Sequence, residues 1–174
     1  MTQELRLYSF INFYLSAIQQ GVQTGHLAVD MVRKYTKPDS KILPKLKPEF
    51  QAKENAKSDM VAEWADNFKT FIILNGGDNE SLCNTTEFIQ TCDYPWVIFC
   101  EDNESLGGLQ TGVAMVLPEN IFNAKKVRSE NFDCKYYYEF LEKTESGDII
   151  KQHVYTDGTK DFQLIDLLKS SRLA

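Results

Sequence analysis

Two adjacent carboxylates, Glu101 and Asp102, follow the apolar run Trp96-Val97-Ile98-Phe99-Cys100 and form the pair in this chain best placed for acid–base chemistry. Side by side at a strand end, two like charges can lift the pKa of one and make it a general base. The same residues also suit a solvated acidic loop. His26 precedes Asp30 by one helical turn, a spacing that serves a surface pair, a packed ring or a ring in a site. The other ligand-type residues are dispersed. Cys83, Cys92, Cys100 and Cys134 show no C-x-x-C spacing and His153 is far from His26, so reduced thiols, no structural metal and no cofactor are expected. The patterns G-x-S-x-G, G-x-x-x-x-G-K-[ST], H-E-x-x-H and G-x-G-x-x-G do not occur, which removes the main warrants for acyl-serine hydrolases, P-loop enzymes, zinc proteases and dinucleotide folds.

The elements that must position these groups are legible from periodicity. Leu7 to Leu15 reads as a buried strand. Val22, His26, Val29 and Arg33 recur at helical spacing, as do Leu27, Met31 and Tyr35, which predicts a helix from about Gln20 to Tyr35. Residues 37–57 hold three of the five prolines and are read as an extended surface connection that regains helix near Pro48 to Ala56. A further helix is expected over Ser58 to Asp66, with Ser58 or Asp59 as N-cap, and then a strand over Lys69 to Leu74. Asp78 should cap a third helix that turns Leu82, Thr86 and Ile89 to one side. Strands over Trp96 to Cys100 and Val113 to Leu117 follow, the first a nearly continuous apolar run suited to cover on both faces. Such an order asks for a mixed sheet with helices on its two faces. Beyond Pro118, KYYYEFLEKT and IIKQHVYT read as a hairpin, and a helix is expected over Asp161 to Ser171.

Composition limits what the site can bind. With 174 residues, of which 43% are hydrophobic, the chain can bury one real core. No apolar run suggests a membrane span, and the start MTQELRLYSF lacks signal or transit character, so a cytoplasmic protein is expected. The net charge is −6, and its distribution is uneven. From Asn75 to Glu104 there are seven acidic residues and no Lys or Arg, whereas Lys37 to Lys57 contains six lysines. A polyanion such as RNA needs several cations near its phosphates, and only the lysine-rich stretch offers them. Those lysines equally suit the solvated face of a linker. Tyr136 to Tyr138 could stack on bases if exposed, although aromatics at strand spacing usually fill a core.

The two blocks LYSFINFYLSAIQQGVQTGHLAVDMVRKY and EWADNFKTFIILNGGDNESL through PWVIFCEDNESLGGLQTGVAMVLP, in that order, resemble the type II (archaeal and eukaryotic) peptidyl-tRNA hydrolase family over about 1–118. The resemblance implies an α/β domain with a mixed, mostly parallel sheet and helices on both faces, with 119–174 as a C-terminal hairpin-helix extension packed on the same domain. It implies an ester hydrolase acting on peptidyl-tRNA. Glu101 or Asp102 then stands for the family's strand-end aspartate, Ser105 and Thr111 for its loop threonines, and His26 for its helix histidine. Gln20 falls where the family carries a catalytic lysine, and an amide cannot supply that charge to an oxyanion. Lys34 and Lys69 are the candidates to replace it. The other expectation is a non-enzymatic module that holds a small ligand in the cleft of Gln20, Gly21 and the 101–108 loop. In that reading, the C-terminal extension could hold a protein partner.

Overall fold

The computed structural model describes residues 3–36, 47–129, 136–144 and 146–174. Strand β1 (Leu5–Ile11) pairs in parallel with β2 (Thr70–Asn75), with Arg6 opposite Thr70 and Ile11 opposite Asn75. Strand β3 (Trp96–Cys100) pairs antiparallel with β4 (Gln110–Pro118), and the four-stranded order is β2-β1-β4-β3. The molecule is therefore mixed α/β; this sheet is mixed and a second one is antiparallel. Expected strand ends move by a few residues, because β1 closes at Ile11 where Asn12 begins a turn.

Helix α1 (Ala17–Thr36) starts earlier than periodicity suggested. Ser16 and Gln19 form a reciprocal cap: Ser16 Oγ accepts from the Gln19 amide N–H at 3.4 Å, and Gln19 Oε1 accepts from the Ser16 amide at 2.9 Å. Of the two faces that repeat at helical spacing, Leu27, Met31 and Tyr35 are buried, whereas Val22 and Val29 face solvent. Helix α2 (Pro48–Glu63) is one element where two were expected. Pro48 is tolerated at its first position. Ser58 is not a cap: its hydroxyl donates to the Glu54 carbonyl one turn back, so the helix runs through it and ends in a π-helical turn, Trp64–Phe68. Lys69, at φ 52°, reverses the chain into β2.

Leu7, Ile11, Leu27, Met31, Val61 and Trp64 form the heart of one core, each worth about 1.5–3 kcal/mol of burial. Alternation sends Tyr8, Phe10, Val113, Met115 and Leu117 to the other face of the sheet, and these are equally buried. Helix α3 (Asn79–Gln90) is capped by Asp78, whose Oδ1 accepts from the Ser81 amide at 2.9 Å, and it buries Leu82, Thr86 and Ile89. Helix α4 (Asn103–Leu106) is a single turn between β3 and β4.

The chain divides into two compact units. One contains the described residues up to Leu117 together with Arg172–Ala174; the other is Pro118–Ser171. In the first, Leu173 bridges Leu74 antiparallel on the outer edge of β2. The second opens with the short α5 (Glu119–Phe122) and contains the antiparallel sheet β5-β6-β7 (Lys125–Arg128, Tyr136–Lys143, Ile149–Tyr155) and α6 (Lys160–Ser170). The hairpin and helix lie where periodicity placed them, but β5 is an addition that its charged sequence concealed. Tyr136 and Tyr138 donate to Asp166 Oδ1 of α6 at 3.3 and 2.8 Å, and Phe162 packs on both rings.

Candidate functional site

The end of the sheet where β1, β2 and β3 finish gathers the polar groups. Backbone bonds join the three strand exits: Asn12 donates to the Thr111 carbonyl, Gly76 donates to the Ile11 carbonyl, and Glu101 donates to the Leu109 carbonyl. Ligands of open α/β sheets bind at this kind of edge. Asn12 is buried; its Oδ1 accepts from the Tyr14 amide, which turns the chain toward the Ser16 cap, and α1 then runs back along the sheet until Tyr35 meets Trp96 at the start of β3. Gly107 and Gly108, at φ 64° and 75°, let the 101–109 segment return within a few residues. A Cβ on Gly108 would lie 2.9 Å from Asn103 Oδ1.

The centre of the site is Gln23, which carries no signal in the sequence. Its Nε2 donates to Glu101 Oε1 at 2.5 Å, and its Oε1 accepts from the Thr111 hydroxyl at 3.2 Å. Gln23 and Thr111 are buried, 5% and 1% exposed, while Glu101 is half-buried. A hydrogen-bonded line thus runs from a buried hydroxyl through a buried amide to a carboxylate at the surface. Its direction follows from the amide, since the Gln23 N–H can only donate and its Oε1 can only accept.

The other candidates fall around this line rather than on it. Gln20 serves the helix start: its Nε2 donates to the Leu15 carbonyl at 3.0 Å, and its own carbonyl accepts from Thr24 Oγ1 at 2.9 Å. Gly21 lies on the outer, exposed face of α1, with nothing within 4 Å of the place a Cβ would take. His26 is exposed and lies flat on Phe99, ring centroids 4.6 Å apart and planes 4° apart, so it stands one turn from Gln23 and two residues from Glu101 along β3. Asp102 is exposed, and its carbonyl accepts from the Gly108 amide. Ser105 belongs to α4, and its side chain lies outside the described atoms.

Among the described residues, neither candidate lysine stands beside Glu101. Lys34 Nζ donates to the Trp96 carbonyl at 2.8 Å and lies 4.2 Å from the Trp96 ring centroid, and burial holds its pKa below the usual lysine range. From Trp96 to Glu101 the strand advances roughly 16 Å, more than that side chain can recover. Lys69 precedes β2 at the opposite end of the sheet. Arg172 does reach the correct end, since its carbonyl accepts from the Asn75 amide, but it lies four strand spacings from β3, about 19 Å. Among the described residues, no Lys, Arg or His forms an ion pair with Glu101.

The lysine-rich stretch is only partly visible: 37–46 lie outside the described residues, and of the rest Lys53 pairs with Asp93 and Lys57 with Glu54. Cys83, Cys92 and Cys100 are free thiols, and Cys134 lies outside the described residues. Among the described residues, no group of His, Cys, Asp and Glu converges to hold a metal, and no helix is long and apolar enough to cross a membrane.

No family model matches the chain, and no curated protein matches it either.

Proposed function

We propose that this chain is a peptidyl-tRNA hydrolase-like protein of type II that no longer hydrolyses and acts as a non-enzymatic binding module. The observation that carries this reading is the pairing of Glu101 with the Gln23 amide. A hydrolase acting on a peptidyl ester must stabilise a developing oxyanion, and a neutral amide already bound to a carboxylate offers little for that. The scaffold half of the proposal rests on the order β1-α1-α2-β2-α3-β3-α4-β4 and on polar groups gathered where β1 to β3 end. The parallel β1–β2 pair supports a mostly parallel sheet, and the burial of β1 and β4 supports cover on both faces at its centre. Phe71 of β2 and Ile98 of β3 are exposed, however, so β3 is not covered on both faces as its apolar run suggested. Free thiols at Cys83, Cys92 and Cys100 agree with a cytoplasmic setting. The half-exposed Glu101 and the ring of His26 would face a small ligand, while Ile149 and Val154, 59% and 51% exposed on β7, favour a protein partner for the C-terminal unit.

Release of tRNA from a model peptidyl-tRNA by the purified protein, beside Glu101→Gln and at two salt concentrations, tests the proposal. We expect no turnover and no salt-dependent retention of tRNA, since Asp78, Glu80, Glu101, Asp102 and Glu104 follow the ends of β2 and β3 here. Turnover that Glu101→Gln abolishes would overturn the proposal and establish a hydrolase with a rebuilt site.

A further inference from the structure

Helix α1 carries a second feature, independent of the Gln23 line. Ile18, Gly21, Val22, Gly25 and Val29 occupy positions i, i+3, i+4, i+7 and i+11, which fall on one face opposite Leu27. Ile18, Val22 and Val29 are 82%, 53% and 58% exposed, and a Cβ at Gly21 or Gly25 would meet nothing within 4 Å. An amphipathic helix normally turns such a stripe to a core, and here the core already takes the opposite face. An apolar face of this kind on a folded unit marks an interaction surface.

The stripe is its own complement. A two-fold axis across the helix at the level of Gln23 and Thr24 carries Ile18 onto Val29 and Val22 onto Gly25. Two antiparallel copies of α1 therefore seat each Val22 in the gap left by the other copy's Gly25, and glycine is the residue that lets backbones approach this closely. The charges at the two ends match in the same sense. At the C-terminal end Arg33 is exposed. At the N-terminal end Phe13 donates to the Gly77 carbonyl, which sets the exposed Tyr14 beside the acidic residues Asp78 and Glu80. The same axis carries Arg33 to the level of Tyr14. Each Arg33 thus meets an aromatic ring and an acidic turn. Antiparallel helix dipoles add to the fit.

We propose that the exposed face of α1 is a homodimer interface, formed by antiparallel α1 helices of two copies of this chain. The seam is short, so the dimer is reversible and forms at roughly micromolar concentrations.

Sedimentation of the full chain across about 1–200 μM tests this. We expect a monomer–dimer equilibrium that Val22→Glu weakens by at least about tenfold and that Gly25→Leu weakens to a similar degree by filling the gap. Gly25→Leu meets no atom of its own chain, so circular dichroism should report an intact fold. Lys151→Glu, on an exposed position of the other unit, should leave the equilibrium unchanged. In a Cys100→Ser background, Ile18→Cys with Val29→Cys should yield a disulfide-linked dimer and Ile18→Cys alone should not. A monomer at every concentration overturns the proposal, and peptide or vesicle binding lost in Val22→Glu would then identify another occupant of the face. A dimer indifferent to both Val22→Glu and Gly25→Leu, or one linked by Ile18→Cys alone, overturns it as well.

Discussion

Gln23 Nε2 lies 2.5 Å from Glu101 Oε1, and this bond ties the second turn of α1 to the exit of β3. A neutral donor on a carboxylate contributes about 1.5–3 kcal/mol where water is partly excluded. The same amide accepts from Thr111, so no change at Gln23 short of another amide keeps both partners satisfied.

Gln23→Glu places a second carboxylate beside Glu101 in a buried position. We expect a loss of about 2–4 kcal/mol at pH 7 in urea unfolding. Gln23→Met, close in shape but uncharged, should cost less than Gln23→Glu, and an equal loss in both variants would show that packing, not charge, governs the site.

Two glycines in the same unit should respond in opposite directions to alanine. At Gly112 a Cβ would lie 2.8 Å from both Ile11 Cδ1 and Leu27 Cδ1, so Gly112→Ala should cost about 1–3 kcal/mol. Gly25 sits mid-helix in open space, and Gly25→Ala should add about 0.5–1 kcal/mol. Thermal melts of the two variants at sub-micromolar concentration, where the proposed dimer is dissociated, check this, and a destabilised Gly25→Ala would contradict the open geometry of the single chain.

Burial, with the Asp166 carboxylate beside it, pushes the Tyr138 phenol well above its usual pKa. A raised phenol pKa means that its contribution to stability is complete below the ordinary value near 10 and is lost as pH rises through the higher folded value. In an ultraviolet titration Tyr138 should ionise late, together with unfolding of its unit, and Tyr138→Phe should remove that step. The substitution should cost about 1 kcal/mol at neutral pH, since Asp166 keeps the Tyr136 hydroxyl.

The Ser81 amide holds the Asp78 carboxyl below its usual range. A depressed carboxyl pKa gives stability that is present above the ordinary value near 3.9 and is lost as pH falls through the folded value. Asp78→Ala should therefore lower the melting temperature at pH 7, and the gap between variant and parent should close in strong acid. A gap that stays constant to low pH would assign the effect to backbone preference alone.

Much of the first unit was legible because its signals are local. The apolar run before Glu101, the Asp78 cap and the Leu27, Met31 and Tyr35 spacing each declare an element within a few residues. Local signals do not rank two apolar helix faces, however, so the buried and exposed sides of α1 became distinct only against the sheet. Gln23 was illegible for a related reason. An amide has no preferred burial of its own, and its partners lie 78 and 88 residues away. The Ser16-x-x-Gln19 cap was a readable signal that the aromatic run before it masked. The charged β5 becomes a strand, and the returning Leu173 a bridge to β2, through their neighbours alone.

That return has a consequence for the order in which the protein is made. In the sequence, the 118–171 unit is inserted between the body of the first unit and the short segment of that same unit that lines the outer edge of β2. While the ribosome is still producing the second unit, the Ile73 carbonyl and the Asn75 amide have no Ala174 amide or Arg172 carbonyl to meet. For that interval the nascent chain presents a bare strand edge of the kind that recruits foreign strands. The last stitch of the first unit is thus available only after the second has been synthesised, which makes the time between the two the period when chaperones would matter most to this chain.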